Sequence, residues 1–290
     1  MCIFCGLSES DYGVGSTHYV YANNRANLFN GYSLAEFVFG DEGNDTIYGN
    51  QGNDTLYGNE GNDLLQGGVG SDKLVGDTFA DSINYSSNDT LRGGAGNDEL
   101  FGGFGNDQLF GDADNDLIYG EDGNDRVIGG SGNDTLYGGN GIDSSNDRDT
   151  LSGNAGEDLL IGGADNDLLI GGSGNDRFGF FGTTNFTSAM LGIDTIKDFV
   201  KAVDKIVLDK TVFTTLTSQV GSSIDLSEFI EVANDAAAMT RQESIVYSRS
   251  TGNLLYNENG EASGFGEGGQ FAILQEKPEL IPDDIIIVES

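Results

Sequence analysis

Through the middle of the chain an aliphatic residue recurs at intervals of nine, each two places beyond an aspartate. The aliphatic series is Ile47, Leu56, Leu65, Leu74, Ile83, Leu91, Leu100, Leu109, Ile118, Val127, Leu136, Leu151, Leu160 and Leu169. The aspartates run Asp45, Asp54, Asp63, Asp72 and Asp81, shift phase to Asp89, Asp98, Asp107, Asp116, Asp125, Asp134 and Asp143, and resume at Asp149, Asp158, Asp167 and Asp176. Successive side chains of an extended segment point to opposite faces, so an aspartate and the residue two places on share one face. Each unit thus predicts a short strand with its aliphatic side chain in a core and its carboxylate pointing inward beside it. So short a period, sustained over so many copies, predicts a stacked repeat.

The polar positions define the rest of the unit. In its fullest copies, Gly93 to Phe101 and Gly129 to Tyr137, it reads Gly-Gly-x-Gly-Asn-Asp-x-Leu-x. Three glycines in nine exclude a helix, where each would cost about 1 kcal/mol against alanine. They suit a tight turn with positive φ and close backbone approach. Two units make one coil of eighteen residues, with a strand on each side and a turn at each end. Such coils stack as parallel strands about 4.8 Å apart. Stacking predicts Asp45 above Asp63 and Asp54 above Asp72, and carboxylates so placed repel when buried without counter-charge. A hard dication with oxygen ligands resolves the conflict, because it accepts carboxylates together with turn carbonyls. Calcium suits the site better than magnesium, which demands a smaller octahedral cage, and zinc would want the Cys and His that the repeats lack. The ninth-place residues Tyr48, Tyr57, Phe101, Phe110, Tyr119, Ile128, Tyr137, Ile161 and Ile170 alternate outward, either as a contact surface or as a cover for neighbouring strands.

The phrase Gly129-Gly130-Ser131-Gly132-Asn133-Asp134-Thr135-Leu136-Tyr137 resembles the nonapeptide of the RTX (repeats-in-toxin) family, and near-continuous copies cover roughly half of the chain. The resemblance implies an all-β fold: a right-handed parallel β-roll of eighteen-residue coils closed by a C-terminal β-rich cap. It also implies several calcium ions between adjacent turns, bound through sixth-place aspartates and turn carbonyls. In this sequence those are Asp45, Asp54, Asp63, Asp72, Asp89, Asp98, Asp107, Asp116, Asp125, Asp134, Asp149, Asp158, Asp167 and Asp176, with the fourth-place glycines Gly43, Gly52, Gly61, Gly96, Gly105, Gly123, Gly132 and Gly174. Export through a type I channel, with folding on arrival in calcium-rich surroundings, is the family's further implication. A disordered Gly/Asp linker, the alternative, would lack apolar residues at fixed spacing.

Composition narrows the partners. The 290 residues include 48 acidic and 13 basic, for a formal net charge of −35, which argues against nucleic acid or an anionic membrane surface. No stretch approaches the ~18 apolar residues of a membrane span. Met1 to Val20 shows neither the basic start nor the apolar core of a cleaved secretory signal, in accord with an uncleaved C-terminal one. Cys2 and Cys5 are half of a zinc site at best, and free or locally oxidised thiols are the plainer reading.

Three regions follow: an N-terminal capping segment (1–39), the calcium-binding roll (40–179) and a C-terminal β cap with a secretion signal (180–290). The first contains the sole histidine, His18, and strand-like alternation at 17–21 and 35–39. Segments 76–92 and 138–152 break the repeat and predict loops bulging from the roll. Asp114 and Asp165 take fourth places, where each adds a carboxylate to a site or distorts it. In the last region Asp194 stands eighteen residues beyond Asp176, and Asp204 follows; this stretch is similar to the segment that closes the roll in RTX proteins, serralysin-type proteases included. Ser244 to Asn257 predicts a hairpin, and Phe271 to Leu274 and Ile285 to Val288 predict strands. The terminus from Asp283 to Val288 resembles the family's secretion signal. One histidine cannot furnish a zinc His-Glu-x-x-His helix, and neither Gly-x-Ser-x-Gly nor a phosphate-binding Gly-Lys-Ser/Thr occurs. The expectation is a non-enzymatic, secreted calcium-binding protein, extracellular or at the cell surface, with a structural or adhesive role. Alternatives are a subunit of a calcium-dependent filament or surface layer, and an accessory module of a secreted hydrolase. Calcium is the expected partner, and self-association or contact with a surface or polysaccharide stays open.

Overall fold

Short parallel strands set eighteen residues apart make up most of the regular structure of the computed structural model, which describes residues 18–22, 24–78, 87–139, 147–182, 186, 191–259, 265 and 268–289. Cys2, Cys5, Asp81, Ile83 and Asp143 lie outside these residues, as does the His18 side chain. The chain divides into two units, Met1–Gly138 and Gly139–Ser290.

In the first unit, odd-numbered strands form one sheet: β1 (His18–Tyr21), β3 (Glu36–Glu42), β5 (Thr55–Glu60), β7 (Lys73–Val75), β9 (Glu99–Phe104), β11 (Leu117–Asp122) and β13 (Thr135–Tyr137). Even-numbered strands form the other: β2 (Leu28–Asn30), β4 (Thr46–Gln51), β6 (Leu64–Val69), β8 (Thr90–Ala95), β10 (Gln108–Ala113) and β12 (Arg126–Ser131). Alternation along each strand explains why two sheets form. Val38, Ile47, Leu56, Leu65, Leu74, Leu91, Leu100, Leu109, Ile118, Val127 and Leu136 are all buried between them, each contributing about 1.5–3 kcal/mol of burial. The ninth-place rings on the other face stack on one another. Tyr21, Phe39 and Tyr57 follow at 5.0 and 4.9 Å, and Phe101, Tyr119 and Tyr137 at 5.2 and 4.6 Å. Lys73 Nζ lies 4.5 Å from the Phe101 ring centre, so this half-buried ring covers its neighbour.

The nine-residue count through Asp81 does not carry into the stacking. Leu64 pairs with Thr90 and Lys73 with Glu99, and the amide of Asp63 reaches Asp89 across 26 residues where regular coils take 18. Eight residues more than a regular coil holds separate β7 from β8 in the sequence, and just before them Asp77 accepts bonds from the Ser87 hydroxyl (2.5 Å) and the Phe104 amide (3.3 Å).

The second unit repeats the two-sheet plan. One sheet orders β15 (Leu159–Ile161), β17 (Arg177–Phe180), β19 (Lys205–Asp209) and β24 (Ile285–Val288), all parallel. The other orders β14 (Thr150–Ala155), β16 (Leu168–Ser173), β18 (Asp194–Ile196), β23 (Gly269–Leu274), β22 (Asn253–Tyr256), β21 (Ile245–Ser248) and β20 (Phe229–Val232). The expected hairpin is β21–β22, with Ile245 opposite Tyr256. A single helical turn, Asp235–Ala238, capped by the Asn234 side chain, was not foreseen. Phe180, Phe186, Phe213, Tyr256 and Phe271 pack mostly edge-to-face at 5.0–6.4 Å, so aromatic packing replaces the aliphatic ladder here. No described helix is long and apolar enough to cross a membrane.

Candidate metal centre

Each turn is shaped by where its backbone must bend. The fourth-place glycines Gly43, Gly52, Gly61, Gly96, Gly105, Gly123, Gly132 and Gly174 all have φ between 116 and 143°, a region closed to ordinary side chains. Each faces the coil before it, so that a Cβ on Gly61 or Gly123 would strike the carbonyl of Gly43 or Gly105. Second-place Asp41, Asn50, Asn59, Asp112 and Glu121 also have φ of 70–78°. At the fourth place, Asp114 (φ 75°) turns its carboxylate back to the Gly96 amide at 3.1 Å rather than toward the sixth-place carboxylates.

These turns aim the sixth-place carboxylates inward and stack them. In one column the amide of Asn27 donates to Asp45 Oδ1 at 2.6 Å; Asp45 donates to Asp63, Asp63 to Asp89 and Asp89 to Asp107 at 2.7 Å; and Asp107 donates to Asp125 at 2.8 Å. In the other, Glu36 donates to Asp54, Asp54 to Asp72 and Asp72 to Asp98 at 2.7 Å, then Asp98 to Asp116 at 2.8 Å and Asp116 to Asp134 at 2.9 Å. In the second unit Asp149 leads to Asp167 and Asp194, and Asp158 to Asp176 and Asp204. All of these acids are buried, the aspartates to 3% exposure or less.

Each of these bonds between aspartates uses a single carboxylate oxygen, Oδ1. Oδ2 of Asp45, Asp54, Asp63, Asp72, Asp89, Asp98, Asp107 and Asp116 is buried with no hydrogen-bond partner. Burial pushes the carboxyls upward and nearby carboxylates add to it: Asp45 and Asp72 rise to about 6, Asp98 to about 7, Asp63, Asp107 and Asp116 to about 8 and Asp89 to about 9. Without a cation the columns cannot all be ionised at neutral pH.

The leftover oxygens abut the first-place glycines. A Cβ on Gly40 would lie 2.5 Å from both Asp45 Oδ2 and the Gly58 carbonyl, and one on Gly102 2.6 Å from Asp107 Oδ2 and 2.5 Å from the Gly120 carbonyl. Among the described residues no three Asp, Glu, His or Cys side chains converge, so main-chain carbonyls must complete a ligand set. Paired carboxylate oxygens beside carbonyls, with no nitrogen or sulfur, fit a hard dication of calcium's size.

Sequence reasoning missed several members. Asn27, Glu36, Asp194 and Asp204 stand in the columns although no Gly-x-Asp phrase marks any of them but Asp194. The signal was available, since Phe29, Val38, Ile196 and Ile206 each follow by two and are buried. The fifth-place asparagines also carry a ladder of their own: Asn88 donates its amide to Asn62 Oδ1 at 2.8 Å, Asn106 to Asn88 at 2.7 Å and Asn133 to Asn115 at 2.6 Å. It runs opposite to the aspartate ladder, so a turn such as 87–89 is tied to both neighbours.

A family model described as RTX calcium-binding nonapeptide repeat (4 copies) matches residues 30–65, 66–84, 85–118, 110–144 and 143–178. No curated protein matches the chain.

Proposed function

Since the chain belongs to the RTX calcium-binding nonapeptide repeat family, we propose that its calcium-binding β-roll is a secreted part that folds outside the cell and serves there as a structural or adhesive element. The observation that carries this reading is the set of buried, unpartnered aspartate oxygens. Stacked inward, they oppose folding until a dication neutralises them, and calcium at the ~10⁻⁴ to 10⁻³ M level of extracellular modules would do so. Sixth-place aspartates and turn carbonyls are the ligands in this reading; first-place carbonyls such as those of Gly58 and Gly120, which share the space beside Asp45 and Asp107 Oδ2, join the fourth-place ones as candidates. Bound calcium supplies charge neutralisation and cross-linking of neighbouring coils, and the chain's own residues set the turns that hold it.

The role is non-enzymatic, a reading supported by the single histidine and the missing nucleophile motifs. Export by a type I route is part of the same proposal. Fractionating a producing culture tests it: the chain is expected in the medium or on the cell surface, released from the surface by EGTA. A folded, calcium-loaded pool confined to the cytoplasm would contradict it. A second reading, a subunit of a calcium-dependent filament or surface layer, is favoured by the half-buried ring columns of the first unit. Electron microscopy with and without calcium separates the two.

A further inference from the structure

The turn that ends in Asp194 is a half-turn of the roll without the repeat's spelling. Three contacts place it. Gly192, with φ of 65°, packs against the carbonyl of fourth-place Asp165. The amide of Ile193 donates to fifth-place Asn166 Oδ1 at 2.8 Å, as fifth-place residues do elsewhere. Sixth-place Asp167 donates its own amide to Asp194 Oδ1 at 3.1 Å. Residues 192–194 therefore stand at places four, five and six of the turn above 165–167, at a separation of 27 that the nine-residue count hides.

Asp194 and Asp167 are each 2% exposed; Asp167 Oδ2 receives no amide or hydroxyl donor, and the two carboxyl groups lie within hydrogen-bond reach of one another. Two buried carboxylates face one another in the arrangement that recurs along the roll. The other column ends differently. Asp204 accepts from the Asp176 amide at 3.1 Å through Oδ1 and from the Val200 amide at 2.6 Å through Oδ2. Asp198 beside it spends both oxygens on the Gly171 and Gly172 amides at 2.9 Å. That end is closed by protein donors, whereas at the Asp194 end two buried carboxyl groups have only each other beyond the Asp167 amide, and a dication between them would satisfy both.

We propose that Asp194, sixteen residues past the last matched repeat residue, 178, is the closing carboxylate of a calcium site shared with Asp167, while Asp198 and Asp204 close the opposite column without metal. This rests on the calcium-binding reading of the roll. An Asp194→Asn change keeps an oxygen for the Asp167 amide and removes the charge, and Asp198→Asn is its control.

The test is the calcium content of the purified full chain after equilibration in calcium, together with thermal melts in calcium and in EGTA. The expectation is one ion fewer per chain for D194N, with a melting temperature lowered in calcium but not in EGTA. D198N should keep the ion count of the unaltered chain. Equal counts for D194N and the unaltered chain would overturn the Asp194 site and leave the roll's calcium intact, whereas no calcium in the unaltered chain would overturn both. If D194N does not fold, hydrogen exchange of the unaltered chain decides: the Asp167 and Thr195 amides should be protected in calcium and lose protection in EGTA before the Ile285–Val288 strand does. Loss of protection by both segments at the same calcium concentration as EGTA is added would count against the site.

Discussion

At the scale of the residue, the first-place glycine shows most clearly how composition becomes chemistry. Its conservation within the chain reads in sequence as turn flexibility, yet Gly40 and Gly102 do not have positive φ. They are glycine because a Cβ would occupy the space between an aspartate Oδ2 and the next coil's carbonyl. Gly102→Ala is expected to destabilise the calcium-loaded protein by about 1–3 kcal/mol, the usual cost of overpacking, and to raise the calcium midpoint of folding in a titration. Unchanged values would show that no ligand space lies there. The carboxylates themselves predict a pH dependence. Below about pH 4 they are protonated in folded and unfolded chains alike. As pH rises the unfolded chain ionises first, near 3.8, while the folded chain retains protons to about 6 at Asp45 and about 9 at Asp89. The folded state thus binds more protons over that interval, and metal-free stability falls as pH rises through it. Melting temperatures in metal-free buffer should drop from pH 4 to pH 8 and flatten when calcium is present; a rise over that range without metal would contradict the burial of these groups.

At the scale of the element, the eighteen-residue coil was legible because Asp and the aliphatic residue two places on must share a face, and Asp54 with Leu56 and Asp116 with Ile118 do so. The hairpin at Ile245 to Tyr256 was legible for the same reason of local pattern. Counting failed where chain is set aside between coils, because stacking is decided by hydrogen bonds and not by intervals: Asp81 continued the count, yet Asp63 found Asp89. Asp194 looked like a successor of Asp176 and instead joined Asp167. Glu36 and Asn27 were missed because the reading demanded a glycine turn before the acid, whereas a column's first member needs only an amide to offer. Deleting 79–86 removes the eight residues that separate 26 from 18. It joins third-place Thr78 to fourth-place Ser87, and with Ser87→Gly to permit the bend, the variant should fold with the same circular dichroism and calcium content. Loss of cooperative folding would mean that the insertion does more than loop out. Leu100→Ala, in the middle of the ladder, should cost about 2–5 kcal/mol in denaturant unfolding, and a cost under 1 kcal/mol would mean the ladder is not a packed core.

At the scale of the whole molecule, a formal charge of −35 and the buried columns are what the proposed coupling of folding to calcium rests on. The apolar ladder is thin, one side chain per nine residues, and it must outweigh carboxylates stacked within the same turns. In the proposed reading, calcium converts that opposition into cross-links between coils. The most direct measurement is far-ultraviolet circular dichroism of the full chain at pH 7, stripped of metal and titrated with calcium. The prediction is little ordered β-structure at the start and a cooperative gain with a midpoint near ~10⁻⁴ to 10⁻³ M. A chain with the same spectrum and melting temperature in excess EGTA as in millimolar calcium would contradict it.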